Sequence, residues 1–319
     1  MRDSATSRWT HPATILVATD LSDLDHLMPF ALQQAGPDQA GQTPARLILL
    51  HVLSVSASIT ADSSGMPYYD TVGALETAEQ MMRPWCEAAA KRGIRCDQLV
   101  REGRPTQQIA AAVRQFQADR VLLGTRSRSK IGKLLIGSVA EQVLRSVYLP
   151  VITVGPEAHL PAAGNTERVV LHATTLRETS RPSAALACQI AAAQNAKLVL
   201  LHVLPPLPEM QRKGLPAGFD SAAMHELSML ASATGAGCCS AVEPLVIHGN
   251  PSIEILATAQ ERHASLIVLG ATERSAFENL TRDRTVYRVL AHARCPVITL
   301  REPKIVAEEM REAAAALHQ

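Results

Sequence analysis

Stretches of this chain repeat at a fixed distance, and that repeat limits the fold more than any other feature. Glu102-Gly103-Arg104-Pro105 is matched 146 positions later by His248-Gly249-Asn250-Pro251. At the same offset Val121 to Gly124 is matched by Ile267 to Gly270, and Leu149 to Val154 by Cys295 to Leu300. Upstream the offset grows, to 151 between His51 and His202 and to 155 between Asp20 and Thr175. The length changes therefore fall in early loops, where insertions are tolerated. So long a period means a duplicated domain, not a short-repeat solenoid. A length of 319 residues suits two domains of roughly 150 each.

Each copy alternates short aliphatic runs with helical patterns. In the first copy Ile15 to Ala18, Leu47 to Val52, Cys96 to Arg101, Arg120 to Gly124 and Val151 to Val154 read as strands. Leu24 to Gln34, Glu76 to Lys91, Thr106 to Gln117 and Ser138 to Val147 read as helices, with a polar loop around Ser56 to Asp70. The second copy repeats the strands at Val169 to Ala173, Leu198 to Val203, Ala241 to Ile247, Ser265 to Gly270 and Val297 to Leu300. Runs that are apolar throughout are strands buried on both faces, and intervening helices make them parallel. The expected fold class is α/β: two tandem Rossmann-like domains, each a five-stranded parallel sheet flanked by helices. Residues 1–155 form the first, residues 167–302 the second, and Pro156 to Thr166 links them. Residues 303–319, alanine-rich and charged, read as a C-terminal helical tail. Aromatic residues make up only 3% of the chain, so both cores must be aliphatic.

The bulk numbers exclude several classes. A net charge of +1 gives no broad nucleic-acid footprint. The longest apolar runs, such as Leu47 to Leu50, are far short of a membrane span, and the first residues carry no secretory signal. The six cysteines form neither a CxxC nor a zinc-ligand pattern. They read mostly as buried thiols in a reducing, cytoplasmic compartment, with the adjacent Cys238 and Cys239 as a redox-sensitive alternative.

The chemistry concentrates between Gly124 and Glu141. Gly124 ends a predicted strand and lets the backbone come close to an anion. Gly137-Ser138 opens the next predicted helix, where free N–H groups and the helix dipole favour a phosphate. Arg126, Arg128, Lys130 and Lys133 add positive potential around Ser127. The spacing is not that of a Walker A loop. Two roles compete for Ser138: phosphate contact, or the cap of a Ser138-Val139-Ala140-Glu141 capping box. Two also compete for Asp20 after the first strand: acceptor for a base amino group, or cap of the following helix.

This constellation resembles the universal stress protein family. Gly124, Ser127, Gly137 and Ser138 fall on that family's Gly-x-x-Gly, nine residues, Gly-Ser/Thr pattern, with Ser127 standing where the family has its second glycine. The likeness extends to ILVATD with Asp20, to LLHV with His51-Val52, to GRP at Gly103 to Pro105, and to GSVAEQVLRSVYLPVITV. It covers nearly the whole chain as a tandem pair. The resemblance implies an adenine-nucleotide site in the N-terminal domain, for ATP with Mg²⁺ as an optional companion. Asp20 and Val52 would hold adenine; Gly124, Arg126, Ser127, Gly137, Ser138 and Val139 would line ribose and phosphates. It further implies a stress-response or signalling module, pairing of the two domains through their last strands, and room for a homodimer. Slow ATP hydrolysis comes with the likeness, but no catalytic residue stands out.

The second copy departs at four positions. Thr175 replaces Asp20, Glu273 replaces Ser127, Asp283 replaces Gly137 and Arg284 replaces Ser138. Two like charges about 4 Å apart repel by roughly 4 kcal/mol at a surface-like dielectric. Two carboxylates facing a triphosphate therefore point to a degenerate second site. The alternative for the whole chain is an interaction protein that binds no nucleotide and whose halves form an internal pseudo-dimer. An adenylate-transferring enzyme would need an SGGxDS or HxGH loop after strand one, and Thr19 to Asp23 supplies neither.

Overall fold

The computed structural model describes residues 11–36, 42–54, 59–61, 67–69, 71–125, 136–160, 168–177, 180–206, 219–235, 241–272 and 284–302. The first half contains β1 (Thr14–Thr19), α1 (Leu24–Ala35), β2 (Arg46–Leu53), β3 (Ile59–Ala61), β4 (Pro67–Tyr69), α2 (Thr71–Ala90) and β5 (Cys96–Glu102). It continues with α3 (Pro105–Phe116), β6 (Arg120–Gly124), α4 (Ser138–Ser146) and β7 (Val151–Val154). The second half contains β8 (Val169–Ala173), α5 (Arg181–Ala193), β9 (Lys197–Leu204), α6 (Phe219–Gly235) and β10 (Val242–His248). It closes with α7 (Pro251–Glu261), β11 (Leu266–Thr272), α8 (Arg284–His292) and β12 (Val297–Glu302).

Ten strands make one sheet in the order β10-β9-β8-β11-β12-β7-β6-β1-β2-β5. Within each half the five strands are parallel and the order is the same, with the first strand in the middle. Strand order reverses between β1 and β6, so the chain leaves on opposite sides there and a crevice opens beyond the carboxyl ends. The expected alternation of strands and helices is present. Two details differ. Helix α2 begins at Thr71, five positions before its apolar periodicity starts, and the polar loop holds a short antiparallel hairpin, β3 with β4.

The halves meet where β7 and β12 run antiparallel, pairing Val297 with Thr153, Ile298 with Ile152 and Thr299 with Val151. Thr153 Oγ1 donates to Val297 O at 3.2 Å. Beside this seam the Arg301 guanidinium lies 4.4 Å over the Tyr148 ring and donates to the Arg145 carbonyl. His26 Nε2 donates to Gly155 O at 2.7 Å.

Strand alternation sorts the core into two layers. Ile15, Val17, Leu47 and Leu49 face one layer together with Val170, Leu198, Leu200 and Ile298, under α1, α2, α5 and α6. Leu16, Ile48, Leu50 and Val121 face the other with Leu171, Val199, Ile267 and Val297, under α3, α4, α7 and α8. Each layer runs through both halves without a break. Most of these side chains are fully buried, worth about 1.5–3 kcal/mol each in transfer free energy.

One buried carboxylate fixes where β1 begins. Asp119 Oδ2 accepts from Ala13 N at 2.9 Å and from Thr14 N at 3.1 Å. Since β1 carries the first crevice residues at its other end, this clamp sets their height. Asp119→Ala strands both donors, and the expected cost is about 2 kcal/mol. Urea unfolding of the full chain measures it; a loss below about 0.5 kcal/mol would show that water replaces the carboxylate.

Candidate functional site

The crevice at the first-half reversal has a volume of about 240 Å³. Its walls are the ends of β1, β2 and β6 and the starts of α3 and α4. Ala18 to Asp20 come from the end of β1 and the residue after it, Leu50 to Val52 from β2, and Leu123 to Thr125 from the end of β6 and the residue after it. Pro105 and Ile109 close one side, and Gly137 to Ala140 face them. Six expected site residues, Asp20, Val52, Gly124, Gly137, Ser138 and Val139, line this crevice together. Arg126 and Ser127 lie outside the described residues.

The start of α4 removes one of the two roles weighed for Ser138, the capping box. The helix cap is Gly137, with φ −60° and ψ 144°, and no side chain caps it. Ser138 is the first helical residue, so the capping box does not form. Glu141 turns instead to Arg145, 2.5 Å away on the next turn. The Gly137 N–H is spent on Thr125 O at 2.8 Å. That leaves the N–H groups of Ser138, Val139 and Ala140 without intrahelical partners, at the positive end of the helix dipole. Ser138 is exposed and Val139 is 37% exposed, so this end opens to the crevice. Gly137 is not needed for its backbone angles. A Cβ there would meet Thr125 O at 3.5 Å, an ordinary contact.

The loop after β1 is built by side chains. Asp20 Oδ1 accepts from Ser22 N at 3.0 Å and Ser22 Oγ at 2.7 Å, closing an Asx turn. Asp20 therefore does not cap α1, whose N-cap is Asp23 without a side-chain cap bond. Leu21 adopts φ +72°, a conformation that costs a non-glycine residue on the order of 1 kcal/mol. Thr19 Oγ1 offsets this by accepting the Leu21 N–H at 2.9 Å, and donates its own proton to Asp23 Oδ1 at 2.5 Å. His51 Nδ1 donates to Thr19 O at 3.0 Å, which leaves Nε2 as an acceptor. Burial holds the His51 ring below its usual range, against the raising effects of that bond and of Asp20. Thr19, Asp23, Thr125 and Ile109 were not singled out in the sequence. Their signal is position only: each is next to, or one helical turn from, a motif residue.

The second half rebuilds the frame with other residues at the mouth. Thr174 Oγ1 accepts from Leu176 N at 3.1 Å, Leu176 adopts φ +58°, and His202 Nδ1 donates to Thr174 O at 2.9 Å. Thr175, in the place of Asp20, pairs its hydroxyl with Ser180 Oγ at 3.1 Å. This crevice measures about 330 Å³ and is lined by Thr175, Arg177, His202, Val203, Gly270 and Thr285 among others. Glu273 and Asp283 lie outside the described residues; Arg284 begins α8.

Among the described residues no three His, Cys, Asp or Glu side chains gather as metal ligands, and no helix is long and apolar enough to cross a membrane. Of the cysteines read mostly as buried thiols, Cys295 is free and buried, Cys86 and Cys96 are free and half-buried, and Cys188 is fully buried on α5 and disulfide-bonded. Cys238 and Cys239 lie outside the described residues, as does the expected tail helix.

Comparison with known proteins places this geometry. The Universal stress protein family model matches residues 13–155 and again 167–301. A universal stress protein of Thermus aquaticus is 33% identical over 144 residues, 44% of this chain and 97% of that protein. One of Methanocaldococcus jannaschii is 23% identical over 142 residues, 44% of this chain and 80% of that protein. In three dimensions the chain is similar to a universal stress protein from Archaeoglobus fulgidus, with a TM-score of 0.65 at 20% identity, covering 91% of this chain and 98% of that one.

The crevice carries its own pH signature. Burial, with help from the Asp20 charge and against the Thr19 hydroxyl bond, pushes the Asp23 carboxyl from 3.8 up to about 6. The folded state then holds more protons than the unfolded one between these values. Asp23 contributes stability that is complete below pH 3.8 and lost as pH rises through about 6, in all about 3 kcal/mol. Asp23→Asn keeps an acceptor for Thr19 and should flatten stability over that window. Unchanged slopes for the variant, in urea titrations across the same pH range, would place the ionisation elsewhere.

Proposed function

The chain belongs to the universal stress protein family, and from that premise we propose that its first-half crevice binds an adenine nucleotide, ATP in particular, as a stress-response or signalling module. The observation that carries the reading is the uncapped start of α4 facing Asp20 and Val52 across the reversal of strand order. Residues 1–155 act as the nucleotide-binding domain and residues 167–302 as its degenerate partner.

In this reading Asp20, with one carboxylate oxygen held by the Ser22 turn, accepts from the adenine amino group. Val52 packs on the ring. The free N–H groups of Ser138, Val139 and Ala140, with the Ser138 hydroxyl, take phosphate oxygens; Gly124 and Gly137 let the chain approach without a side chain in the way. Arg126 and Ser127 complete the phosphate loop. A magnesium ion would enter on the triphosphate and offset its charge, in whichever compartment the protein works, the cytoplasm being the one proposed.

A second reading, an interaction protein without nucleotide, rests on the β7–β12 seam. Each last strand there is paired on both sides, which supports an internal pseudo-dimer. A homodimer would then use another surface.

Calorimetric ATP titration of the full chain separates the two. The wild type is expected to bind one adenine nucleotide per chain. Gly137→Asp should weaken it by at least tenfold while leaving the fold intact: the Cβ is accommodated, and aspartate at an N-cap stabilises a helix while occupying its donors. Binding unaltered in this variant would remove the α4 site. No binding by wild type or Ser127→Gly would leave the interaction reading.

A further inference from the structure

The two crevices carry opposite charge at the same place in the fold. In the first, Asp20 and Ser22 flank the left-handed Leu21 and close an acidic turn. In the second, Thr175 and Arg177 flank the left-handed Leu176, at the same offset of 155. Asp20 and Asp23 line the first crevice, and among its described lining residues there is no lysine or arginine. Arg177 lines the second, and among its described lining residues there is no aspartate or glutamate. His51 and His202 are fixed alike, on Thr19 O and Thr174 O, so the imidazole does not set the difference.

Away from Arg177 the walls of the second crevice are mainly aliphatic. Leu201 and Val203 of β9, Ile255 of α7, Leu269 of β11 and Val286 of α8 help to enclose about 330 Å³, against about 240 Å³ in the first. Thr175 is exposed, and its hydroxyl pairs with that of the buried Ser180 at 3.1 Å. One proton closes that pair; with Ser180 as its donor, the Thr175 proton is left to donate elsewhere. A guanidinium and a spare hydroxyl donor thus stand together at the edge of an apolar cavity.

We propose that the second crevice binds a small monocarboxylate with an aliphatic body. The carboxylate accepts from Arg177 and Thr175, and the body lies against Val203, Ile255 and Val286. A guanidinium fork matches the two oxygens of a carboxylate, and the single described cation matches a single negative charge. A phosphate is the poorer match, because it carries more charge and strongly hydrated oxygens to an apolar wall. Burial of the aliphatic body supplies most of the affinity, and the exposed ion pair selects the sign of the head group. The site is independent of whether the first crevice takes a nucleotide.

The test is calorimetry of the full-length protein with butyrate, hexanoate and octanoate. One molecule per chain is expected, with affinity rising by up to about fourfold per added methylene until the cavity is filled. Hexylammonium, with the same tail and the opposite charge, should not bind. Arg177→Gln should weaken hexanoate roughly fivefold and Arg177→Glu further. Arg177 is exposed, so both variants should fold as the wild type does. Neither inorganic phosphate nor ATP should displace bound hexanoate. No carboxylate binding, hexylammonium binding as well as hexanoate, or equal affinity in Arg177→Gln and the wild type would overturn the proposal. So would displacement by phosphate or ATP.

Discussion

The structure depends on burying parallel strands from both sides. Val, Ile and Leu runs such as Leu47 to Leu50 and Leu198 to Leu201 leave no polar face to show to water. Helices must therefore cover the sheet above and below. Once that is so, the chain can turn only at the two ends of the strands. Polar residues collect at the carboxyl ends, and the strand reversal beside β1 opens the crevice there. The functional chemistry follows from this packing constraint.

The two halves keep the packing and differ in the chemistry. The threonine that holds a left-handed leucine, and the histidine that braces that threonine, occur in both. This frame shapes the first βα loop whatever the loop is for. Where Asp20 offers an exposed carboxylate, Thr175 offers a hydroxyl already paired with Ser180. The scaffold is thus conserved between the halves and the mouth of the crevice is not. The proposal of one nucleotide per chain is consistent with this asymmetry.

Most of the fold was legible because each signal was local. Continuous aliphatic runs gave most of the ten strands of the main sheet, strand–helix alternation gave mixed ones such as Cys96 to Arg101, and the offset of 146 gave the repeat. The antiparallel seam of β7 and β12 came only from family resemblance, since strand pairing between distant segments leaves no mark in either strand. At the site, glycine and carboxylate positions could be read, but the identity of the α4 cap could not. Ser138-Val139-Ala140-Glu141 satisfies the capping-box pattern, yet the cap is Gly137, one residue earlier, and Glu141 pairs with Arg145. A pattern of residue types cannot fix a boundary to one residue, and here one residue separates a closed cap from an uncapped helix start. The disulfide at Cys188 was missed for a similar reason: a cysteine on a small-residue helix face looks the same reduced or oxidised.

The central claim is that one crevice, at the start of α4, takes the nucleotide. Hydrogen–deuterium exchange of the full chain with and without ATP and magnesium tests it most directly. The account predicts slowed exchange at Thr19 to Asp23 and at Ser138 to Glu141, with no change at Thr174 to Arg177 or Thr285 to Val286. Equal protection in both halves, or none around Ser138, would contradict it.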